Sequence, residues 1–308
     1  MALAERLGVI KHVVPVFKGD TTEAPTHFRV KAARLRSVAS YGFIFKATDN
    51  PDWNIGDDVA GYYGITKWEP PLPEEKDADE GHSAFHRYTD IQLWANYPDE
   101  FTPDEEVVIT EKIHGRNCRI GFVMTEESSH SFTMRIMAGS FSLPRRYETD
   151  GVVSQYWKPV DMRMRSLFYK LHEDANNRNI VVFGEIYGPG LQDTTYGLSK
   201  QGAVGFRLID IAVDQVYLDY DPKAALCEQF GIEMVPLLYR GPYSPNVIQE
   251  LTDGPTTLCT PDKLGKFKGR EGIVITPVIE RLATNFERLI LKSVSVDFLS
   301  RSGATDAH

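Results

Sequence analysis

The first part of the chain consists of short runs in which apolar, β-branched and aromatic residues predominate. Turn-forming stretches such as KGDT and DNPDWNIGDD separate these runs, which are HVVPVF, HFRVKAARL, YGFIFKA and DDVAGYYGITKW. Short strands between frequent turns are typical of small all-β modules. The pattern therefore predicts a compact β-barrel of roughly 70 residues in this part of the chain.

Beyond residue 80 the pattern becomes mixed. Apolar residues at helical spacing predict a helix over 155–175, and Asp221, Pro222 and Gly231 predict the N-cap, first turn and end of a shorter helix. Strands are predicted at EVVITEK, NCRIGFVM, SFTMRIM, NIVVFGEIY, VGFRLIDIAV, EGIVITP and RLILKSVS. Because strands follow strands without regular helical crossovers, we expect an antiparallel-rich α+β domain.

The clearest break in composition is the segment EPPLPEEKDADE at 69–80, which is rich in proline and acidic residues. It lacks the periodicity of a helix or a strand, so it is interpreted as an interdomain linker. We therefore expect two domains, residues 1–85 and residues 86–308.

Composition limits the classes of function. A net charge of -9 argues against a general polyanion-binding protein, because such proteins bind phosphates through excess lysine and arginine. A local basic groove remains compatible with this balance, since acidic residues collect elsewhere, as in 69–80. No apolar run of about 18 residues occurs, which predicts a cytoplasmic protein without a membrane span. Three widely spaced cysteines predict neither disulfides nor a zinc site.

The string EKIHGRN at 111–117 carries the most chemical information, because it places Lys112 at the end of a predicted strand. A lysine amine is nucleophilic only when its surroundings remove its proton, and Gly115 allows the backbone to turn closely against a ligand. A surface turn explains a lone KxxG equally well. Four further strings place charged or aromatic residues inside apolar runs, and they are FGEIYG, FRLIDI, EGIVI and LILKSVS.

In this order and spacing the five strings resemble the nucleotidyltransferase motifs of covalent ligases and capping enzymes, across residues 107–295. EKIHGRN is particularly similar to ATP-dependent RNA ligases that repair nicks, and GDDVAGYYGITKWEPP resembles the branch with an OB domain before the catalytic domain. The resemblance implies an OB-like barrel over 1–85, followed by an antiparallel-rich nucleotidyltransferase domain (ATP-grasp-like ligase) over 86–308.

The resemblance also implies roles for individual residues. Lys112 would attack the α-phosphorus of ATP, and Lys292 would neutralise charge on that phosphate. Glu271 would hold Mg²⁺ or Mn²⁺, mainly through the water shell of the ion. The implied nucleotide contacts come from Glu111 to adenine, Ile113, Gly115, Asn117 to the phosphate or reacting end, Glu185 to ribose, and Phe206 stacked on adenine.

Two positions need separate treatment. Many relatives carry Lys-x-Lys in the last motif, but here Ile290 occupies the first position, so Lys292 acts alone or with Arg288. Relatives also place an arginine that grips phosphate or the 3′ end between the first and third motifs, for which Arg145 is favoured over Arg146. His114 receives no role, because its spacing to the other histidines suggests no metal site.

The implied activity is joining of RNA 3′-OH and 5′-phosphate ends through a lysyl-AMP intermediate, at nicks in duplex RNA or RNA/DNA hybrids, by a monomer. Glu111 beside Lys112 favours ATP over GTP, which argues against an RNA-capping guanylyltransferase. The same strings are also compatible with a DNA ligase and with a non-catalytic RNA-binding homologue. A requirement for the ribose 2′-OH at the nick distinguishes RNA from DNA sealing.

Overall fold

The computed structural model describes residues 13–16, 27–30, 33–35, 38–40, 46, 49–50, 52–65, 77–128, 131–174, 178–264 and 267–300. The chain divides into two compact units, Met1–Pro73 and Glu74–His308. Within the described residues, no helix combines the length and apolar character that a membrane span requires.

The described strands of the smaller unit form two antiparallel pairs. These are β1 (Val13–Val16) with β2 (His27–Val30), and β3 (Ala33–Leu35) with β4 (Val38–Ser40). The described residues of this unit do not form a closed barrel, and the predicted run at 41–47 lies largely outside them.

The strand predicted at 57–68 is wrong at residues 60–63, which form the short helix α1 (Ala60–Tyr63), and residues 66–68 lie outside the described residues. Asp58 Oδ1 accepts a hydrogen bond from the Ala60 backbone N–H, at 2.9 Å, where the helix begins. The helix ends at Gly64 in the left-handed conformation, which glycine adopts readily. Local capping therefore outweighs the β-type composition of these residues.

The larger unit is rich in strands, as the sequence predicts. Its elements are β5 (Gln92–Leu93), β6 (Glu106–Lys112), β7 (Arg116–Ser128), β8 (Ser131–Gly139), β9 (Pro144–Arg145), β10 (Glu148–Thr149), β11 (Val152–Val153), α2 (Met162–Asp174), β12 (Ile180–Tyr187), β13 (Gly205–Val213), β14 (Val216–Tyr217), α3 (Tyr220–Phe230), β15 (Leu237–Pro242), α4 (Pro245–Thr252), β16 (Gly272–Pro277), β17 (Leu291–Val294) and α5 (Val296–Ser300). The fold class is therefore α+β, with both large sheets mostly antiparallel.

Two sheets form the framework of this unit. One has the strand order β14-β13-β12-β7-β8-β9 and the other β15-β6-β16-β17-β5. Helices α2 and α3 contribute Leu167, Phe168 and Cys227 to a core shared with the six-stranded sheet, while α4 contributes Ile248 to a core with the five-stranded sheet. A third core, which contains Phe183 and Ile290, joins the two sheets face to face.

The two predicted helices are present, with changed beginnings. Helix α2 begins at Met162, and Asp161 Oδ1 accepts hydrogen bonds from the backbone N–H groups of Arg163 and Met164. Helix α3 begins after Asp219, so Asp221 lies in its first turn and is not the N-cap. Gly231, in the left-handed conformation, ends α3 as predicted.

Candidate active site

The strand register brings the predicted nucleophile and the last motif to one face of the five-stranded sheet. Lys112 pairs with Gly272 on β16, and Lys292 pairs with Val274 on the same strand. Paired residues, and residues two apart on a strand, point to the same side. Lys112 and Lys292 therefore share the face that packs against the six-stranded sheet through Val274 and Ile290.

Lys112 forms an ion pair with Glu271. Its Nζ lies 2.8 Å from Glu271 Oε1, and the two side chains are only 20% and 11% exposed. Burial acts to raise the pKa of Glu271, but Lys112 and His114 outweigh it and lower that pKa. The site therefore holds the amine against an ionised carboxylate.

The turn after Lys112 packs closely on β12. The Gly115 backbone N–H donates to Glu185 Oε1 at 3.0 Å. A β-carbon on Gly115 would collide with the carbonyl oxygen of Ile186 and approach Glu185 Cγ to 2.9 Å. Only glycine fits this close approach between β12 and the turn after Lys112, which we call the nucleophile turn.

Glu185 and Asn117 are paired across β12 and β7, so their side chains share one face of the six-stranded sheet. Burial raises the pKa of Glu185 to about 8, Lys112 opposes this effect, and repulsion from Glu271 adds to it. Asn117 Oδ1 is buried without a hydrogen-bond partner, as is Glu271 Oε2. Buried polar atoms rarely lack partners, so these two oxygens are candidate ligand contacts.

Glu111 and Ile113 flank Lys112 in the sequence and are both buried. The carboxylate of Glu111 accepts hydrogen bonds from the Thr256 hydroxyl, the Thr257 N–H at 2.8 Å and the Thr257 hydroxyl at 2.7 Å. Ile113 packs with Tyr187 and Tyr196 in a small apolar cluster.

Phe206 does not share the face of Glu185. It pairs with Ile186, whose side chain points to the core on the side of α2, and Phe206 packs against that core. Its ring also fills the space that a side chain on residue 184 would occupy. Ile209 lies on the other side, where it contacts both the core between the sheets and the cluster around Ile113.

The two candidate cations of the last motif, Lys292 and Arg288, have different surroundings. Arg288 donates to Asp210 Oδ2 at 2.9 Å and to Glu280 Oε2 at 2.8 Å, and its guanidinium lies 3.8 Å from the Tyr217 ring centroid. Arg288 is thus part of a buried ion network. Ile290 is fully buried in the core between the sheets, so an apolar side chain replaces the first lysine of Lys-x-Lys.

Arg145 lies on β9, at the edge of the six-stranded sheet. Its Nη1 donates to Asp77 Oδ1 at 2.6 Å, and its guanidinium lies 5.6 Å from the Tyr156 ring centroid. The neighbouring Arg146 donates its backbone N–H to the Asp77 carbonyl at 2.8 Å. The acidic segment that ends at residue 80 thus supplies a carboxylate to the arginine predicted to grip a phosphate.

Sequence reasoning missed His114, which the structure places beside Glu271. Its Nε2 lies 2.9 Å from Asp193 Oδ1, and its Nδ1 lies 3.7 Å from Glu271 Oε2. The available signal was the position of His114 inside the motif, two residues after Lys112, where it lies at the same strand end. Asp193 belongs to the polar stretch GLQDTTYG after FGEIYG, which carries no recognisable spacing.

Comparison with known proteins supplies the family. The sequence model of the RNA ligase family matches residues 105–294. No curated protein matches the chain.

Solved structures share the fold. The Naegleria gruberi RNA ligase with PPi is 21% identical, with a TM-score of 0.59, over 87% of this chain and 74% of that one. A lysine-to-alanine variant with ATP and Mn is 22% identical, with a TM-score of 0.64, over 96% and 82%. A glutamate-to-alanine variant with AMP and Mn is 23% identical, with the same TM-score and coverage. Because the family match spans more than half of the sequence, the chain belongs to the RNA ligase family.

Proposed function

We propose that this protein is an ATP-dependent RNA ligase that forms a lysyl-AMP intermediate on Lys112 and joins 3′-OH and 5′-phosphate ends. The expected substrates are nicks in duplex RNA or RNA/DNA hybrids. The observation that carries the proposal is the amine of Lys112, largely shielded from solvent and held 2.8 Å from Glu271 at the end of β6.

In the first step, the Lys112 ammonium group, which is partly open to solvent, releases a proton to water, and the neutral Nζ forms a bond to the α-phosphorus of ATP. The bond from that phosphorus to the oxygen bridging the α- and β-phosphates breaks, and pyrophosphate leaves. Lys292, on the same face as Lys112, neutralises charge that builds on the α-phosphate. An oxygen of the 5′-phosphate then attacks the same phosphorus, and the bond from that phosphorus to Lys112 Nζ breaks. The 3′-hydroxyl gives up its proton and attacks the phosphorus of the 5′-phosphate, which closes the strand and releases AMP.

The proposed nucleotide contacts are those that the motifs imply, except that the packing changes the roles of Phe206 and Glu111. Glu185 accepts a ribose hydroxyl and Asn117 contacts the phosphate or the reacting end. The base packs on the side of Ile209, since Phe206 faces the opposite core. Glu111 reads adenine after its hydrogen bonds to Thr256 and Thr257 exchange.

A divalent metal ion, Mg²⁺ or Mn²⁺, is part of the proposal. Glu271 Oε2 and Asn117 Oδ1 are buried oxygens without hydrogen-bond partners, and oxygen is the ligand that these ions prefer. Among the described residues, no group of three or more His, Cys, Asp or Glu side chains suits a metal ion. The protein would therefore supply few ligands beside the phosphates, and a bound ion would neutralise the charge of those phosphates.

RNA binding is assigned to two regions. Arg145 would contact a strand phosphate in exchange for Asp77. The smaller unit would bind the duplex in the manner of an OB domain, which uses a basic groove and stacking aromatic rings. The protein is expected to act as a monomer.

The first experiment measures covalent labelling. Purified protein is incubated with magnesium or manganese and ATP labelled on the α-phosphate, and retained label is counted after denaturation. Wild type and Lys170→Ala should carry the label, since Lys170 is an exposed lysine paired with Asp174. Lys112→Ala should carry none, and labelled GTP should label neither protein. Absence of label from a folded wild type free of bound AMP would remove the ligase proposal.

The second experiment tests the substrate. Labelled protein is given nicked duplexes that differ only in ribose or deoxyribose on the 3′-OH side of the nick. An RNA ligase should seal the ribose nick at least about tenfold faster, because the 2′-OH is the group that distinguishes RNA from DNA. Equal rates would favour a polynucleotide ligase without sugar selection.

A further inference from the structure

A segment from another part of the chain holds the turn that follows Lys112. This crossing segment, residues 191–196, lies between β12 and β13 and reaches each residue of the turn from His114 to Arg116. Its contacts are Arg116 Nε to the Leu191 carbonyl at 3.1 Å, Gln192 Nε2 to the Gly115 carbonyl at 3.1 Å, the His114 N–H to Tyr196 Oη at 2.7 Å, and His114 Nε2 to Asp193 Oδ1 at 2.9 Å.

Asp193 differs from the other members of the crossing segment, because it contacts the turn through an ionisable side chain that remains largely in solvent. The Asp193 side chain is 58% exposed, whereas that of His114 is 13% exposed. Leu191 and Tyr196, by contrast, are buried. Asp193 Oδ1 also accepts a hydrogen bond from the Thr194 hydroxyl, at 3.5 Å. Removal of the Asp193 carboxylate takes away these polar contacts and leaves the buried Leu191 and Tyr196 to hold the segment.

The contact with Asp193 sets the direction in which the His114 ring points. With Nε2 directed at Asp193, the opposite nitrogen Nδ1 faces Glu271 Oε2 at 3.7 Å, and the ring meets Phe298 edge-on at 5.0 Å between centroids. Glu271 uses its other oxygen to hold Lys112. Asp193, His114, Glu271 and Lys112 thus lie in one row, in which the step from His114 to Glu271 is longer than a hydrogen bond.

We infer that Asp193 is a positioning residue for adenylation of Lys112, acting through His114 on Glu271 and hence on the Lys112 amine. The inference rests on the proposed function. Rotation of an imidazole about its terminal torsion meets only broad, low barriers, so an unanchored ring does not define where Nδ1 lies. Fixing a side chain through its other ring nitrogen is a common way to orient histidine beside a reacting group.

The contact between Asp193 and His114 matters most when Lys112 reacts. Formation of the nitrogen–phosphorus bond removes the charge of the ammonium group, so Glu271 loses that ion pair while its carboxylate stays largely buried. The His114 ring, held by Asp193 from the solvent side, then keeps Glu271 in place. Without Asp193, the carboxylate and the amine sample more positions, and small misplacements of reacting groups lower rates strongly.

The test compares Asp193→Ala and Asp193→Asn with wild type in adenylation by labelled ATP over a range of ATP concentrations. In Asp193→Ala, the rate constant of labelling at saturating ATP should fall about tenfold, while the half-saturating ATP concentration stays within about twofold. The reason is that the residue orients the nucleophile and does not bind nucleotide. Asp193→Asn keeps an oxygen acceptor for Nε2–H and should recover most of the rate. Asp174→Ala, which removes another exposed, ion-paired carboxylate, should behave as wild type.

A second readout does not depend on catalysis. In ¹⁵N–¹H spectra of the histidine rings, the His114 Nε2–H signal, assigned by its absence in His114→Asn, should be protected in wild type and exchange-broadened in Asp193→Ala. Three results for Asp193→Ala would overturn the inference. They are an unchanged rate constant of labelling at saturating ATP, a change in the half-saturating ATP concentration alone, and a loss of rate that is matched by a lower Tm. If wild type takes no label, the proposed function fails, and the spectra still test the Asp193–His114 contact.

Discussion

Glu185 is a carboxyl group whose ionisation the folded protein opposes. Its pKa rises from 4.5 to about 8, because of burial first and of repulsion from Glu271 against the opposing effect of Lys112. The folded state therefore retains a proton that the unfolded state releases. This contribution to stability is complete below about pH 4.5 and is lost as the pH rises through about 8.

Replacement of Glu185 by Gln should remove this dependence of the free energy of unfolding on pH. A shift of this size corresponds to a few kcal/mol, at about 1.4 kcal/mol per pKa unit. Between pH 5 and 9, thermal unfolding should show wild type losing stability relative to Glu185→Gln. Parallel stability curves for the two proteins would contradict the assignment of a raised pKa to Glu185.

Gly115 is the residue at which the nucleophile turn tolerates no side chain. Because a methyl group there would meet Ile186 and Glu185, Gly115→Ala should destabilise the protein by about 1–3 kcal/mol and strongly reduce labelling of Lys112. Gly81→Ala is the matched control, since a β-carbon at Gly81 has nothing within 4 Å. Equal Tm values and labelling for the two variants would show that the turn adapts.

Single residues of the site were predictable where a motif names them, and not where a distant segment supplies the contact. Lys112, Glu185 and Glu271 come together as the motif order implies. The part played by His114 depends on Asp193, about eighty positions away, and no local spacing reveals that pairing. Which side of a strand Phe206 faces depends on register with Ile186, which a sequence of similar apolar residues leaves open.

At the scale of elements, a buried ion network joins β13 to α3 and to the segment before β17. Asp210 accepts hydrogen bonds from Arg288, Lys223 and Tyr88, and Arg288 also pairs with Glu280. Burial acts to raise the pKa of Asp210, but the two cations outweigh it and hold that pKa well below its usual range. Asp210 is therefore ionised throughout the neutral pH range.

Asp210→Asn should destabilise the protein by about 3–5 kcal/mol, because it leaves two buried cations without their shared carboxylate. The measurement is chemical unfolding at neutral pH, with Asp174→Asn as a control whose exposed pair with Lys170 is worth under about 1 kcal/mol. Folded Asp210→Asn protein should still label Lys112. A stability equal to wild type would show that the network adds no net stability.

Strands were predictable from the pattern of apolar and polar residues along the chain. The prediction failed where the residues at the end of an element decide its type. The strands around the motifs appear as expected, since long apolar alternation dominates local preference. The sequence predicts a strand at residues 60–63, but they form α1, which ends at Gly64 in the left-handed conformation. The topology of two facing sheets was not predictable, because which strands become neighbours depends on contacts between distant segments.

At the scale of the whole molecule, the proposed chemistry is confined to one of the two units. Every residue that we assign to adenylation lies between Glu111 and Lys292, inside the unit Glu74–His308. That unit has its own cores on both sheets, so it contains what an independently folding domain requires. The expected OB-like role of the smaller unit in duplex binding concerns later steps of the reaction.

A fragment of residues 74–308 should therefore label itself with ATP at a rate within about threefold of the full chain, since single-step covalent chemistry needs only the residues in contact with the nucleotide. Sealing of a nicked RNA duplex should fall far more, by about a hundredfold or greater at moderate salt, because the fragment lacks the unit assigned to duplex binding and its excess of acidic residues disfavours a polyanion. Both rates can be measured on one preparation. Loss of labelling by a folded fragment would mean that the first 73 residues take part in adenylation, whereas retained sealing would place the duplex-binding surface within the larger unit.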